Sequence, residues 1–87
     1  MGNLFYFYGE ECHFCNQMKP LIEKLEKEYK LKLDRFEVWH NSKNAQLLKK
    51  YDEGQCGGVP FFFNIKTRKW ICGAVPYNEL VKWANVK

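Results

Sequence analysis

Four cysteines and two histidines are the side chains of this 87-residue chain best suited to redox or metal chemistry. Two of the cysteines stand three positions apart in Tyr8-Gly-Glu-Glu-Cys-His-Phe-Cys-Asn16, with His13 and Phe14 between Cys12 and Cys15. A C-x-x-C of this kind is compatible with electron exchange, with metal ligation, or with two buried thiols of no special role. Cys56 and Cys72 lack such a close partner. Together with Cys12 and Cys15, or with His13 or His40 in substitution, they contain the donor types of a tetrahedral metal site. The choice among these chemistries depends on the elements that carry the residues.

Leu4 to Tyr8 is an unbroken aromatic and apolar run closed by Gly9. It is too short for a buried helix and fits a central strand covered on both faces. From Cys12 the period lengthens: Phe14, Met18, Leu21, Ile22, Leu25 and Tyr29 recur at helical spacing, with charged residues between them. The Cys pair therefore falls at the start of a first helix. Leu33–Trp39 alternates as a second strand, and Asn41 or Ser42 can cap a second helix running to about Tyr51. Asp52 to Gly58 is a glycine-rich loop. Phe61–Ile65 and Lys69–Cys72 form a hairpin around Lys66-Thr67-Arg68. Pro76 opens a last helix whose inner face is Tyr77, Leu80, Val81 and Ala84. The order β-α-β-α-β-β-α predicts an α/β fold: a four-stranded mixed sheet with helices on both faces, in one domain over residues 1–87.

Composition narrows the function classes. Hydrophobic residues make up 46% of the chain, enough for a core that needs no staples. The net charge of +4 is spread along helical faces such as Lys24, Lys27, Lys30, Lys49 and Lys50, which is a solvated surface and not a nucleic-acid footprint. Phe61, Phe62 and Phe63 fill a central strand better than they would stack on bases. No segment approaches the ~18 apolar residues of a membrane span. The N-terminal stretch has neither a charged leader nor a small-residue cleavage site. A cytoplasmic protein is expected, and in that compartment cysteines more often serve redox or metal chemistry than a disulfide scaffold.

With these elements in place the chain resembles the thioredoxin-fold family, as a minimal thioredoxin- or glutaredoxin-like protein. Cys12-His13-Phe14-Cys15 follows the first strand and opens the first helix. Gly58-Val59-Pro60 precedes the third strand, at the place of the family's cis-proline. Gly73-Ala74 ends the fourth strand, where the family keeps a small residue against the active site, and Pro20 matches the proline of the thioredoxin helix. The resemblance spans about Leu4 to Ala84.

It implies a thiol–disulfide oxidoreductase with a redox-active Cys12–Cys15 disulfide. Cys12 would be the nucleophile, stabilised as a thiolate by the helix N-terminus, and Cys15 the resolving thiol. Glu11, His13 and Phe14 would tune the pair. Tyr8, Val59, Pro60, Gly73 and Ala74 would form the docking surface, with the Val59 backbone pairing an extended substrate. Protein disulfides are the expected substrates, and a reductase or glutathione the electron donor. No cofactor, metal, nucleic acid or membrane is expected, and the protein should act as a monomer. Cys56 reads as an incidental loop thiol, with a third redox thiol or a glutathionylation target as the alternatives, and Cys72 as a small core residue at a strand end.

The departures are specific. Glu11 and His13-Phe14 replace the tryptophan and Gly-Pro of thioredoxins, and Tyr6 replaces their buried aspartate. Gly9-Glu10-Glu11 and Gly73-Ala74-Val75 lack the basic and Gly-Gly-acidic contacts of glutaredoxins. A glutathione-dependent glutaredoxin is thus the alternative within the class. A non-catalytic or metal-binding interaction module of the same fold is the alternative outside it.

Overall fold

The fold was analysed in a computed structural model, which describes residues 3–85. Met1, Gly2, Val86 and Lys87, the ends of the expected 1–87 unit, lie outside the described residues. The elements run β1 (Leu4–Tyr8), α1 (His13–Tyr29), β2 (Asp34–Glu37), α2 (Ser42–Asp52), β3 (Phe61–Asn64), β4 (Trp70–Cys72) and α3 (Tyr77–Ala84). The four strands form one sheet in the order β2-β1-β3-β4. β1 pairs in parallel with β2 and antiparallel with β3, and β3 pairs antiparallel with β4. This is the α/β architecture expected from the element order.

The pleat of the central strands sorts their aromatic rings onto two faces. Leu4, Tyr6 and Phe62 point to one side, where Met18, Ile22 and Leu25 of α1 and Leu80, Trp83 and Ala84 of α3 cover them. Phe7, Phe61 and Phe63 point to the other, where Ala45, Leu47, Leu48 and Tyr51 of α2 pack against them. Phe62 has no exposed surface; its ring stacks on Tyr6 with centroids 4.8 Å apart and meets Trp83 edge-on. A continuous aromatic run makes a strand here because both faces of the sheet are roofed by helices. Trp83, absent from the expected inner face of the last helix, is buried because its indole N–H finds the Lys69 carbonyl at 3.1 Å.

Side-chain hydrogen bonds set boundaries that periodicity does not resolve. β2 is shorter than Leu33–Trp39. The Leu33 N–H turns to the Glu26 carboxylate at 3.0 Å, and the Trp39 N–H to the Glu37 carboxylate at 3.3 Å. β3 stops at Asn64, whose buried side chain accepts from Lys66 and Thr67 N–H and donates to the Trp83 carbonyl. It thereby builds the hairpin turn and ties it to α3. Asn41 is the N-cap of α2, its Oδ1 accepting from Asn44 N–H at 3.0 Å. Arg35 and Glu26 make an ion pair of 2.9 Å between β2 and α1.

The fourth strand departs from expectation. Cys72 is not a core residue: it is exposed at the end of β4, an edge strand. Cys56 is not an incidental thiol either. The two are bonded to each other, with Cα atoms 5.5 Å apart and a sequence separation of 16. Their side chains meet because Trp70 and Cys72 share the face of β4 toward α2, onto which the loop after α2 folds back.

Candidate thiol–disulfide site

The chain leaves β1 at Tyr8 and turns tightly, with the Cys12 N–H donating to the Gly9 carbonyl at 3.0 Å. A side chain at position 9 has no room. A Cβ there would lie 2.2 Å from the Trp39 ring, which covers the glycine. The turn sets Cys12 as the N-cap of α1, in extended conformation, and its sulfur accepts the Cys15 N–H at 3.1 Å. A helix N-terminus leaves such N–H groups without backbone partners, and here one of them aims at the Cys12 sulfur. Cys12 and Cys15 are joined as a disulfide, their Cα atoms 5.1 Å apart. Both are buried, at 5% and 1% exposure, Cys15 the more completely.

The Val59–Pro60 segment lies beside this pair. The peptide bond between them is cis, and the Val59 carbonyl oxygen is 3.9 Å from Cys12 Sγ. The Gly73 N–H donates to the Pro60 carbonyl at 2.8 Å, so the end of β4 is fastened to the same segment. Gly73 takes φ +92°, a conformation that glycine adopts without penalty. Ala74 beside it is exposed. Phe14 is 56% exposed and stands edge-on to the exposed His13 at 5.5 Å. His13 Nε2 lies 3.2 Å from Gln17 Nε2, along the helix surface. Tyr8 is placed differently from Val59. Its ring stacks on Tyr6 and shares with Cys15, Lys19 and Arg35 a small cavity of about 110 Å³ on the α1 side of the sheet. Val59 belongs to the α2 side. There a groove of about 670 Å³ runs from Trp39 and Leu48 past Gly57 to Val59, and its exposed surface is mainly apolar.

Several contributors are distant in sequence. Glu11, one residue before Cys12, has both carboxylate oxygens 2.8–2.9 Å from His40 Nε2. The hydrogen bond from His40 to the Glu11 carboxylate, and the charge of that carboxylate, raise the His40 pKa above the ordinary histidine value of 6.5. Glu37 is held below its ordinary value. Desolvation pushes it up, but the backbone N–H groups of Glu10, His40 and Trp39 and the nearby His40 charge outweigh that. Ligand atoms of Glu10, Glu11 and His40 fall within 4.8 Å of one another, all on exposed residues. The four cysteines form two separate disulfides and not one tetrahedral set. Tyr6, at the place of the family's buried aspartate, donates its hydroxyl to the Cys15 carbonyl at 3.1 Å. Burial raises the pKa of this phenol well above the usual range. Asp52 is buried and its carboxylate accepts the Cys56 and Gly57 N–H groups at 2.6 and 2.8 Å, shaping the loop that leads to Val59.

The sequence raised His40 only as a possible metal ligand, not as a partner of Glu11, and did not flag Asp52 as a site residue. For His40 there is no local signal, since Glu11 is twenty-nine positions away. Asp52 carried one: an aspartate at a helix end before Gly54-Gln55-Cys56-Gly57 is a carboxylate placed to accept loop N–H groups.

No protein-family model and no curated protein sequence matches the chain. Solved structures do. An Archaeoglobus fulgidus glutaredoxin superposes with a TM-score of 0.70 at 12% identity, covering 99% of this chain and 89% of that one. The oxidized form of mitochondrial thioredoxin 3 from Saccharomyces cerevisiae gives 0.70 at 21% identity, covering 99% and 81%. A mutant thioredoxin from Halobacterium salinarum NRC-1 gives 0.71 at 19% identity, covering 99% and 79%. The chain therefore has the thioredoxin fold, with a C-x-x-C disulfide at the mouth of its first helix and Val59-Pro60 alongside.

Proposed function

We propose that this protein is a thiol–disulfide oxidoreductase that reduces protein disulfides, with Cys12 as the attacking thiol and Cys15 as the resolving one. The observation that carries this reading is the position of Cys12 Sγ: it accepts a helix-terminal N–H and lies against the Val59 carbonyl. A thiolate at Cys12 would keep the Cys15 N–H and gain from the positive end of the helix, which lowers its pKa relative to a free thiol near 8.5.

The steps balance as thiol–disulfide exchange. The Cys12 thiolate attacks one sulfur of a substrate disulfide, and the other sulfur leaves as a thiolate that takes a proton. Cys15 then loses its proton to water and attacks Cys12 Sγ. The Cys12–Cys15 bond forms, the mixed disulfide breaks, and the second substrate sulfur leaves reduced. Two electrons have passed to the substrate. A reductase, or glutathione, returns them to the protein. Tyr6 stands where thioredoxins have a buried aspartate, and its phenol holds the Cys15 carbonyl; the Cys15 proton would leave by way of the small cavity that Cys15 shares with Glu10 and Lys19.

An extended polypeptide suits the surroundings. The Val59 backbone offers strand-like pairing beside the sulfur, and the apolar groove toward Trp39 and Leu48 continues from it. Phe14 is exposed two residues from Cys12, and Gly73, bonded to the Pro60 carbonyl, is followed by exposed Ala74. Glu11, paired with His40, brings an acidic rim where glutathione-dependent proteins present a basic one. The protein would act in the cytoplasm, as a monomer without metal or cofactor.

The test is steady-state reduction of insulin and of a glutathione mixed disulfide by the same preparation. The reading expects a higher kcat/KM for insulin. A preference for the glutathione mixed disulfide would make the protein a glutaredoxin, and turnover of neither would make it a binding module.

A further inference from the structure

The second disulfide joins the two pieces of backbone that border Cys12. Cys56 stands three residues before Val59, and Cys72 immediately precedes Gly73, whose N–H holds the Pro60 carbonyl. Between Cys56 and Val59 the chain is Gly57-Gly58, with Gly57 at φ +77°. Two glycines give this stretch the widest backbone freedom a chain can have. Apart from the bridge, the Asp52 carboxylate holds the Cys56 and Gly57 N–H groups, the Gly58 carbonyl lies 3.5 Å from Cys56 Sγ, and Cys56 and Val59 pack against the cluster of Phe7, Phe61 and Phe63. The bridge is also unevenly protected. Cys56 is half-buried under the loop, whereas Cys72 is exposed on an edge strand. Thiol–disulfide exchange depends on which sulfur an incoming thiolate can reach, and of the two residues Cys72 is the one open to solvent.

We propose that Cys56–Cys72 is a second redox site, opened by a low-molecular-weight thiol at Cys72, and that opening it frees the loop carrying Val59 and weakens docking of an extended polypeptide at the Cys12–Cys15 site. The docking half of this proposal rests on the function proposed above. In the first step a thiolate attacks Cys72 Sγ; the bridge breaks and Cys56 leaves as a thiolate that takes a proton from water. In the second step another thiolate attacks the incoming group's sulfur in the Cys72 mixed disulfide. A low-molecular-weight disulfide departs and Cys72 is left as a thiol. Two thiols have been oxidised to one disulfide, and the bridge has been reduced by two electrons. The oxidised form has a pre-shaped loop. The reduced form must order that loop when a substrate binds, and ordering on binding costs affinity.

The experiment uses the full chain carrying Cys12→Ser and Cys15→Ser, so that only the second pair titrates. The protein is equilibrated across a series of reduced-to-oxidised glutathione ratios, acid-quenched, alkylated and read by peptide mass spectrometry, with circular dichroism confirming the fold. The bridge should convert to a dithiol within the series in folded protein, passing through glutathione on Cys72. Amide hydrogen exchange at Cys56 and Gly57 should rise on reduction and fall on reoxidation. The affinity for alkylated insulin B chain should weaken about fivefold on reduction, a loss of pre-organisation without loss of contacts. A Cys56→Ser, Cys72→Ser protein with Cys12 and Cys15 intact should show the same fast exchange with no reductant present.

A bridge that stays closed until the protein unfolds is an inert staple and overturns the proposal, as does oxidised protein in which Cys56 and Cys72 alkylate freely. Reduction with unchanged amide exchange overturns it too, and so does unchanged peptide affinity. Absence of peptide binding in either state overturns the docking half together with the proposed function, while titration and exchange still decide whether the bridge is a second redox site.

Discussion

Cys12 and Cys15 differ in environment although both are buried. Cys12 caps the helix and receives an N–H on its sulfur, whereas Cys15 sits inside the first turn with its carbonyl held by Tyr6. In reduced protein at mildly acidic pH, an alkylating agent should label Cys12 well before Cys15, read by peptide mass spectrometry. Labelling of Cys15 first would reverse the assigned roles. Glu11 and His40 add a pH-dependent charge pair next to Cys12. Because the folded-state pKa of His40 is raised, the pair's contribution is complete below the unfolded histidine value and is lost as pH rises through the folded one. An NMR titration should place His40 above 6.5, and Glu11→Gln should bring it down. A His40 shift unmoved by that substitution would break the link to Glu11. The sequence revealed the Cys pair because its members are three positions apart and open an amphipathic helix. It did not reveal the Glu11–His40 pair or the Cys56–Cys72 bridge. Those contacts exist only after β1 is placed beside β2, and after the loop following α2 is folded onto the face of β4.

At the scale of elements, periodicity carried most of the architecture. Aromatic runs became central strands and the 3.6-residue stripes became helices. Strand ends escaped it because Glu26, Glu37 and Asn64 side chains divert backbone N–H groups from the ladder, a competition that depends on tertiary neighbours. Phe62 has no exposed surface and packs between Tyr6 and Trp83. Phe62→Ala should cost about 3–5 kcal/mol of stability, as removal of a buried ring does, measured from the shift in urea midpoint. A loss below about 1 kcal/mol, the scale of a surface change, would show that the core is not where the packing places it. The entry to α1 is set by a different contact. Gly9→Ala puts a methyl into the Trp39 ring, so Trp39 must move. A red shift of its fluorescence, with slower reaction at Cys12, is the expected result.

Over the whole molecule, the thioredoxin fold brings together three separate stretches: the helix mouth at Cys12, Val59-Pro60 before β3, and Gly73-Ala74 after β4. On the proposed function, the acidic rim of Glu10 and Glu11 would select among the substrates that this arrangement admits. Glutathione carries a net negative charge, and exposed like charges are felt only within about 8 Å at physiological salt. Glu10→Lys with Glu11→Lys should therefore narrow the preference for insulin over a glutathione mixed disulfide by a few-fold, and less at high salt. Equal kcat/KM ratios in wild type and variant across the salt series would remove charge from the account of specificity. The central claim, that Cys12 exchanges with a substrate disulfide and Cys15 resolves the product, is tested most directly by trapping. Cys15→Ser, mixed in dithiol-free buffer with insulin, should accumulate a covalent mixed disulfide on Cys12, identified by non-reducing mass spectrometry, while wild type reduced beforehand and freed of reductant releases reduced insulin chains, closes its own Cys12–Cys15 bond and retains none. An adduct on Cys56 or Cys72, or no adduct with wild type inactive, would contradict it.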